Sequence, residues 1–582
     1  MTLLKPWRFL LLALLAVAAV AAFSACGDDD SGGATNTPGG ATTPAAGQRI
    51  KGGTLTVQGL EFKSLDPHYS AFPQDVSIER MLWRGLYMMN KDNVPQPMMA
   101  ASMPQISTDG KTYTIKMKSG LKWSDGQPLT AKDFEAGIKR TCNPAVASQE
   151  EFVFDQSVAG CADFFAALGT ADAPKTPTPA ELKALEDKVG AKAQDDTTLV
   201  ITLNQGQPTF TIILSMWPAF AVPTHLSRFA SQTPDKTADW GVDPKGLVYN
   251  GPYILSEYKL QDSATLVPNP NWAGEIKPTL DKVVLKFIEK NDVADNAYRN
   301  GELDEAYADI SNLAAVKSEF GAEYFQHAYP GVRALLFQMK HPPLDKLEVR
   351  LALSQAIDRD QLNAVLGGAY LPTTSWLPED VGGPPPNAFQ DQIGFNPTKA
   401  KDNLSKAGFP NGQGFPKLTM IVRDTPETQA QAAFFQNSFK TVLNIDVSIE
   451  PLDSPTRSAR IGSGDFDLSV RSGWLQDYPD PENWFKGAFD TGGAINLGNC
   501  SDPEVDALMK KAAFNTNDTE RRDQWKQVNN LIVTRLCGYT PYYNEANSWL
   551  VKPYVVGIKE NSSAQDQIAG GDWIAEAWGR TK

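Results

Sequence analysis

The sequence predicts a mixed α/β protein of two to four domains, and three observations carry that prediction. The chain has 582 residues, and the roughly 530 that follow its N-terminal leader are too many for one hydrophobic core. Aromatic residues make up 10%, with 41 Pro and 45 Gly, which suits many turns and aromatic-lined surfaces and not a coiled coil or a helical solenoid. Two apolar runs, Leu418 to Val422 and Ile445 to Ile449, flank a helical stretch from Gln429 to Leu443, a β-α-β order that favours a parallel sheet.

The leader comes first. Lys5 and Arg8 precede an apolar run from Phe9 to Phe23, and Phe23-Ser24-Ala25-Cys26 places small residues just before a cysteine. This is the layout of an export signal. A membrane-spanning helix needs about 20 apolar residues, and this run is about 15 long, so a transmembrane anchor is the weaker reading. The pattern resembles the lipobox of bacterial lipoproteins, with Phe23 where Leu is usual, and implies cleavage before Cys26 and a lipid on that cysteine. Ordinary cleaved secretion is the alternative. Residues 27 to 49 hold hardly any large apolar side chain and read as a flexible spacer. Their acidic start, Gly27-Asp28-Asp29-Asp30, lacks the later ligands of a calcium loop.

Beyond the spacer, Gly53 to Val57 alternates like a strand, and Ser64-Leu65-Asp66-Pro67-His68 turns the chain towards a helix from Val76 to Leu86. Asp109-Gly110 is a turn signal before a strand at Tyr113 to Met117, and Leu121 to Gly126 reads as a further strand and tight turn. Thr130 caps a helix towards Arg140. Leu199 to Leu203 is a strand, and Asn250 to Leu255 passes from turn to strand. Val349 to Asp358 reads as a helix, with Arg350 and Gln355 on its polar side. Phe466 to Val470 is a strand that delivers the chain into Arg471-Ser472-Gly473-Trp474-Leu475-Gln476-Asp477-Tyr478-Pro479-Asp480. A strand end opening into such a loop is where an α/β sheet presents its ligand.

Four cysteines follow Cys26, and an even count in an exported chain favours disulfides. The sequence-local pairing is Cys142 with Cys161 and Cys500 with Cys537, the other pairings staying open. No Cys-x-x-Cys or Cys/His spacing supports a metal site. A net charge of -14 without a basic run argues against nucleic acid as a partner. The four histidines, His68, His225, His327 and His341, stand apart from one another and read as turn or surface residues. No nucleophile elbow, zinc-protease helix or phosphate loop occurs, so an enzyme is not expected and no cofactor is implied.

Seven segments in order resemble the extracellular solute-binding proteins, family 5, of ABC importers of the oligopeptide and dipeptide class. They are Gly53-Thr54-Leu55, Ser64 to His68, Asp109 to Thr114, Trp123 to Phe134, Asn250-Gly251-Pro252-Tyr253, Val349 to Arg359, and Gly464 to Asp467 with the loop from Trp474 to Pro481. The resemblance implies an α/β, bilobal periplasmic-binding-protein (Venus-flytrap) fold with a third domain and discontinuous lobes. It places lobe I at 51–96, 216–328 and 549–582, the extra domain at 97–215 and lobe II at 329–548. In peptide binders of the family, the position of Asp477 pairs with the ligand's α-amino group and that of Arg471 meets a peptide carboxylate, with Trp474, Tyr478 and Trp484 as candidate pocket walls. The structural alternative is that Asp477 caps its own turn and Arg471 forms an internal ion pair. The implied partners are a short peptide, the permease of an importer and, through Cys26, a membrane; nothing suggests an assembly beyond a monomer. Rivals are the same fold holding a nickel complex, an oligosaccharide, an opine or another small solute, a receptor or chaperone lipoprotein outside transport, and an unrecognised hydrolase.

Overall fold

The computed structural model describes residues 49–581, apart from 63, 71–72, 91–93, 149, 156, 170–172, 227–245, 477, 494 and 561–571. Cys26 and the leader, like Asp477, lie outside the described residues. In chain order the elements that frame the site begin with β1 (Thr54–Gly59), α1 (Pro73–Leu82), β2 (Gln105–Ile106), β3 (Thr112–Lys116), α2 (Ala131–Thr141), β4 (Ala191–Asp195) and β5 (Thr198–Thr202). Then come β6 (Tyr253–Lys259), β7 (Ser263–Pro268), β8 (Lys282–Phe287), β9 (Glu305–Tyr307), β10 (Tyr324–Phe337) and α3 (Leu347–Gln355). The last group is β11 (Leu418–Arg423), α4 (Pro426–Leu443), β12 (Val447–Leu452), α5 (Ser454–Ser463), β13 (Leu468–Leu475), α6 (Pro481–Phe485), α7 (Asp518–Thr534) and β14 (Tyr539–Val551).

One large mixed sheet runs in the order β12-β11-β13-β10-β14-β9-β1-β8-β7-β6. The expected β-α-β unit is there: β11 and β12 pair in parallel from Leu418–Val447 to Arg423–Leu452, with α4 between them in sequence. The long antiparallel strands β10 and β14 run through the middle. Tyr324 to Ala328 pair with Leu550 to Ala546 beside β9, whereas Val332 to Leu336 pair with Asn544 to Tyr539 beside β13, and the register breaks between Ala328 and Val332. The two halves of the sheet are thus joined by two strands that change register at the same level.

Each half has its own core. On the β13 side, alternate residues feed opposite faces: Leu335, Phe337, Met420 and Val422 pack with α4 on one face, and Ala334, Leu336 and Ile421 pack with Trp376, Trp484 and Trp525 on the other. That two-sided burial is why these strands read as apolar runs. On the β1 side, Leu55, Val57, Val283 and Leu285 share a core with Trp83, Trp123 and Phe210, and this core takes in the small sheet β2-β3-β5-β4.

Several expectations need correction. The Asp109-Gly110 turn does join a hairpin, with Ile106 opposite Tyr113, but Leu121 to Gly126 is no strand: it folds on itself, with Lys122 bridged to Pro128, because β3 finds its second neighbour in β5. The first helix begins and ends earlier than expected, at Pro73–Leu82. Arg350 and Gln355 are not on a polar face but buried; Arg350 donates to the carbonyls of Leu344, Asp345, Arg535 and Leu536 at 2.8 to 3.0 Å, which replaces its water. His68 is fully buried rather than on a turn surface. Its Nδ1 faces Arg140 Nη1 at 3.1 Å, so the hydrogen sits on Nε2 and goes to the Phe220 carbonyl at 3.0 Å. Burial, with Arg140 beside it, pulls its pKa down and keeps it neutral. The local disulfides, Cys142–Cys161 and Cys500–Cys537, are formed, each with Cα atoms 5.2 Å apart.

Candidate functional site: a bulge that turns an arginine into a cavity

β13 does not stop at Val470. It runs on through Leu475 along β10, and what looked like a loop is a strand with a bulge. Opposite Ala334 and Leu336 stand Ser472 and Ser469, so Val470 and Arg471 together face the single residue Leu335. The extra residue is accommodated by Arg471 at φ 52°, a left-handed conformation that a non-glycine residue adopts at a cost of about 1 to 2 kcal/mol. The gain is direction: a bulge re-aims a side chain, and this one turns the guanidinium into a cavity of about 840 Å³.

The displaced backbone is held from behind. The Arg471 N–H donates to Tyr542 Oη at 2.9 Å, Tyr542 Oη donates to Gln431 Oε1 at 3.1 Å, and Gln431 Nε2 donates to Glu427 Oε1 at 3.1 Å. Tyr370 Oη donates to the same Glu427 oxygen at 2.7 Å, and its ring stacks on Tyr543 at 4.1 Å. Glu427 stands in the first turn of α4, where the helix N-terminus favours a carboxylate.

The Arg471 guanidinium is bonded to Glu427 and, at 3.2 Å, to Glu545; Arg333 bonds the same Glu545 carboxylate. The result is a chain, Glu427–Arg471–Glu545–Arg333, in which every charge has an opposite neighbour. Burial works against the charge on Arg471, yet Glu545 and the groups beyond it outweigh burial and hold its pKa above the usual value. The same logic in reverse keeps Glu545 ionised, since Arg333 and Arg471 overcome the burial that would raise it. The cavity wall continues with Arg423, Arg457, Tyr370, Leu366 and, from the segment after β9, Asp309 and Ile310. Those two apart, every lining residue belongs to the β13 half of the sheet, so the cavity is built mainly on that half and closed at one edge by the segment after β9.

The model of the bacterial extracellular solute-binding proteins, family 5 Middle, matches residues 94–496, well over half of the chain and all of the residues that line the cavity. The chain belongs to this family. Among curated relatives, the family-5 chain is 27% identical over 499 residues to the probable deoxycholate-binding periplasmic protein YgiS of Escherichia coli, covering 85% of this chain and 88% of that protein. It is 26% identical over 508 residues to the oligopeptide-binding protein OppA of Bacillus subtilis, with 85% and 88% covered. Among solved structures, the periplasmic murein tripeptide-binding protein MppA, in an unliganded open form, superposes with a TM-score of 0.75 at 23% identity, covering 93% of this chain and 99% of that one. The substrate-binding protein CtaP of Listeria monocytogenes gives 0.71 at 23%, covering 91% and 100%. The bilobal fold is common to them. These relatives are binding proteins, found outside the cytoplasm as the family's description says.

The family-5 chain distributes the expected site residues unevenly. Arg471 is in the cavity. Trp474, half-buried in β13, donates its indole N–H to Asn483 Oδ1 at 3.1 Å. Tyr478 is buried and packs with the core of the β1 side, so the segment after β13 reaches across to the other half. Beside it, Thr209 Oγ1 donates to Glu482 Oε2 at 3.2 Å. Trp484 is fully buried in the core behind β10, its N–H on Gln476 Oε1 at 3.1 Å, and is not part of the wall of the Arg471 cavity. Asp480 caps α6 and binds Arg521 of α7 through both oxygens. Sequence reasoning missed Glu427, Glu545, Arg333 and Arg457. A capping Thr425 followed by Pro426-Glu427 was a visible helix start, but nothing local says that its carboxylate meets a residue 44 positions on.

Proposed function

We propose that this protein is the extracytoplasmic substrate-binding lipoprotein of an ABC importer that captures short peptides between its lobes and hands them to a membrane permease, without catalysis. The observation that carries this is the bulged Arg471 facing a cavity on the β13 half of the sheet, closed at one edge by the segment after β9, in a chain whose family binds solutes. Relatives named for oligopeptides, dipeptides and murein peptides support a peptide as the ligand. Lobe I at 51–96, 216–328 and 549–582, the extra domain at 97–215 and lobe II at 329–548 are the proposed bodies, and two strands whose pairing breaks register twice between Ala328 and Ala334 are the sort of joint that lets lobes rotate as units. The anchor is Cys26, cleaved and lipidated. Closure follows because a ligand that touches both lobes binds the closed form better than the open one.

In this reading Asp477, with Trp474 and Tyr478, receives the peptide's ammonium group, an enclosed cation that needs a fixed carboxylate. Asp477→Ala should weaken a free-amine peptide at least tenfold while leaving its N-acetylated form within about twofold, since one charge-assisted contact contributes about 1.5 to 3 kcal/mol. Calorimetry on both peptides decides it; equal losses would remove that role from Asp477. Native mass spectrometry of a soluble form starting near Lys51, with sequencing of whatever co-purifies, tests the ligand class directly. A single non-peptide acid would instead favour the second reading, the same fold and transport role with another solute, to which the deoxycholate-binding relative points.

A further inference from the structure

The four arginines of the cavity wall are of two kinds. Arg471 and Arg333 belong to the ion-pair chain with Glu427 and Glu545. Arg457 and Arg423 have no carboxylate partner among the described residues. Arg457, on α5, places Nη2 on three neutral oxygens, Ser469 Oγ and the Val470 carbonyl at 2.8 Å and Ser472 Oγ at 3.3 Å, and its Nε is buried without a hydrogen bond. Arg423 ends β11 with its side chain exposed on the cavity wall. A guanidinium held only by dipoles is fixed in place but not neutralised. The lining has Arg333, Arg423, Arg457 and Arg471 against Asp309 and Glu427, so even with Glu545 behind them the positive charges exceed the negative by one. This local excess stands in a chain of net charge -14.

We propose that Arg457 and Arg423 form a carboxylate-reading corner of the cavity, distinct from Arg471, and that the protein selects ligands presenting a carboxylate there, from a peptide C-terminus or from an acidic side chain. The inference rests on the peptide reading above and narrows it. Burial, then the charge of Arg423, lowers the Arg457 pKa to about 10, so it is still a cation at neutral pH, and one whose repulsion from its neighbour an incoming anion would relieve. Arg471 serves as the contrast, because its charge is already answered by two carboxylates.

The test uses two matched pools of tripeptides to pentapeptides, one rich in Asp and Glu and the other with Asn and Gln in their place, each made with free and with amidated C-termini. Bound species are quantified by mass spectrometry and their affinities measured. Wild type should prefer the carboxylate over the carboxamide in one of the two arms by tenfold or more, and the arm that responds identifies the source. Arg423→Gln, at an exposed position, should cut that preference at least threefold, and Arg457→Gln further. Arg460→Gln on the same helix, whose charge is paired with Glu450 and Asp465, should leave it unchanged. Equal binding of acid and amide in both arms, or a preference untouched by Arg423→Gln, overturns the inference and leaves peptide capture standing. No binding by any pool overturns peptide capture and this inference with it.

Discussion

The Asp66 cluster and the Arg471 cavity are both built from buried arginines and carboxylates, and they differ in whether the charges are used up. At Asp66 the accounts close: Arg140 binds both carboxylate oxygens at 2.5 and 2.8 Å, and the His68 backbone N–H donates to Asp66 Oδ1 at 3.1 Å. At the cavity, Glu427 and Glu545 answer Arg471 and Arg333 but leave Arg457 on neutral oxygens and Arg423 exposed, neither with a carboxylate partner among the described residues. The first arrangement is what a fold needs to bury charge, since a closed pair has nothing left for a ligand. The second keeps cations oriented and available, which is what a binding site needs.

The largest expected effect breaks the closed cluster. Asp66→Ala removes the carboxylate that holds both Arg140 nitrogens in the buried cluster and should lower unfolding free energy by about 3 to 5 kcal/mol, with the carboxylate preference of the folded protein unchanged. The pH dependence gives a second handle. Burial tends to raise the Asp66 pKa, but the charge and hydrogen bonds of Arg140 outweigh it and bring it from 3.8 to about 2. A depressed carboxylate contributes stability above its unfolded pKa and loses it as pH falls through the folded value. About 2 kcal/mol of the wild-type advantage should therefore disappear between pH 4 and pH 2, as read by denaturant melts of both proteins. A gap that stays constant over that range would assign the stability to packing instead.

How much of this was legible in the sequence follows the range of the interactions. The β11-α4-β12 unit could be read because its apolar runs and helix lie within about 35 residues and each is buried on both faces. The end of β13 could not. Arg471-Ser472-Gly473 carries polar residues and a glycine like a loop, and only β10, which pairs Ala334 with Ser472 from far back in the chain, makes it a strand. Trp484 is ambiguous for a related reason: an aromatic ring looks the same in sequence whether it walls a pocket or fills a core, and here Trp376 donating to the Trp484 carbonyl at 2.8 Å places it in the core. Arg471 was legible through family resemblance, whereas its neutralisation by Glu545 depends on β14 arriving beside β10.

A smaller effect would push the cavity away from closure. Glu545→Gln removes the carboxylate shared by Arg333 and Arg471, leaving Glu427 to answer Arg471 and taking from Arg333 its one carboxylate partner among the described residues. Stability should fall by about 2 to 3 kcal/mol, because two largely buried guanidiniums lose a charged partner. Binding of a carboxylate ligand should tighten several-fold while its carboxamide analogue is unaffected. The paired measurements separate the two causes: a general loss of shape would weaken acid and amide alike, and only the freed charge distinguishes them.

The smallest effect concerns the bulge that makes the two regions different in kind. Arg140 projects from a regular helix and needs no special backbone, but Arg471 reaches the cavity only through a left-handed residue whose N–H has left the sheet ladder. Tyr542 Oη is the acceptor that replaces the ladder partner. Tyr542→Phe keeps the ring in its core contact with Phe435 and removes that acceptor, together with the link to Gln431 and Glu427. A buried N–H without a partner costs about 1 to 3 kcal/mol, so melting should show a loss in that range, near its lower end if water replaces the hydroxyl. The informative measurement is the ligand side. If the bulge is held mainly by the phenol, the acid-over-amide preference should fall about two- to threefold, as Arg471 and its carboxylates shift against Arg457 and Arg423; if the strand register alone holds it, stability drops and the preference stays.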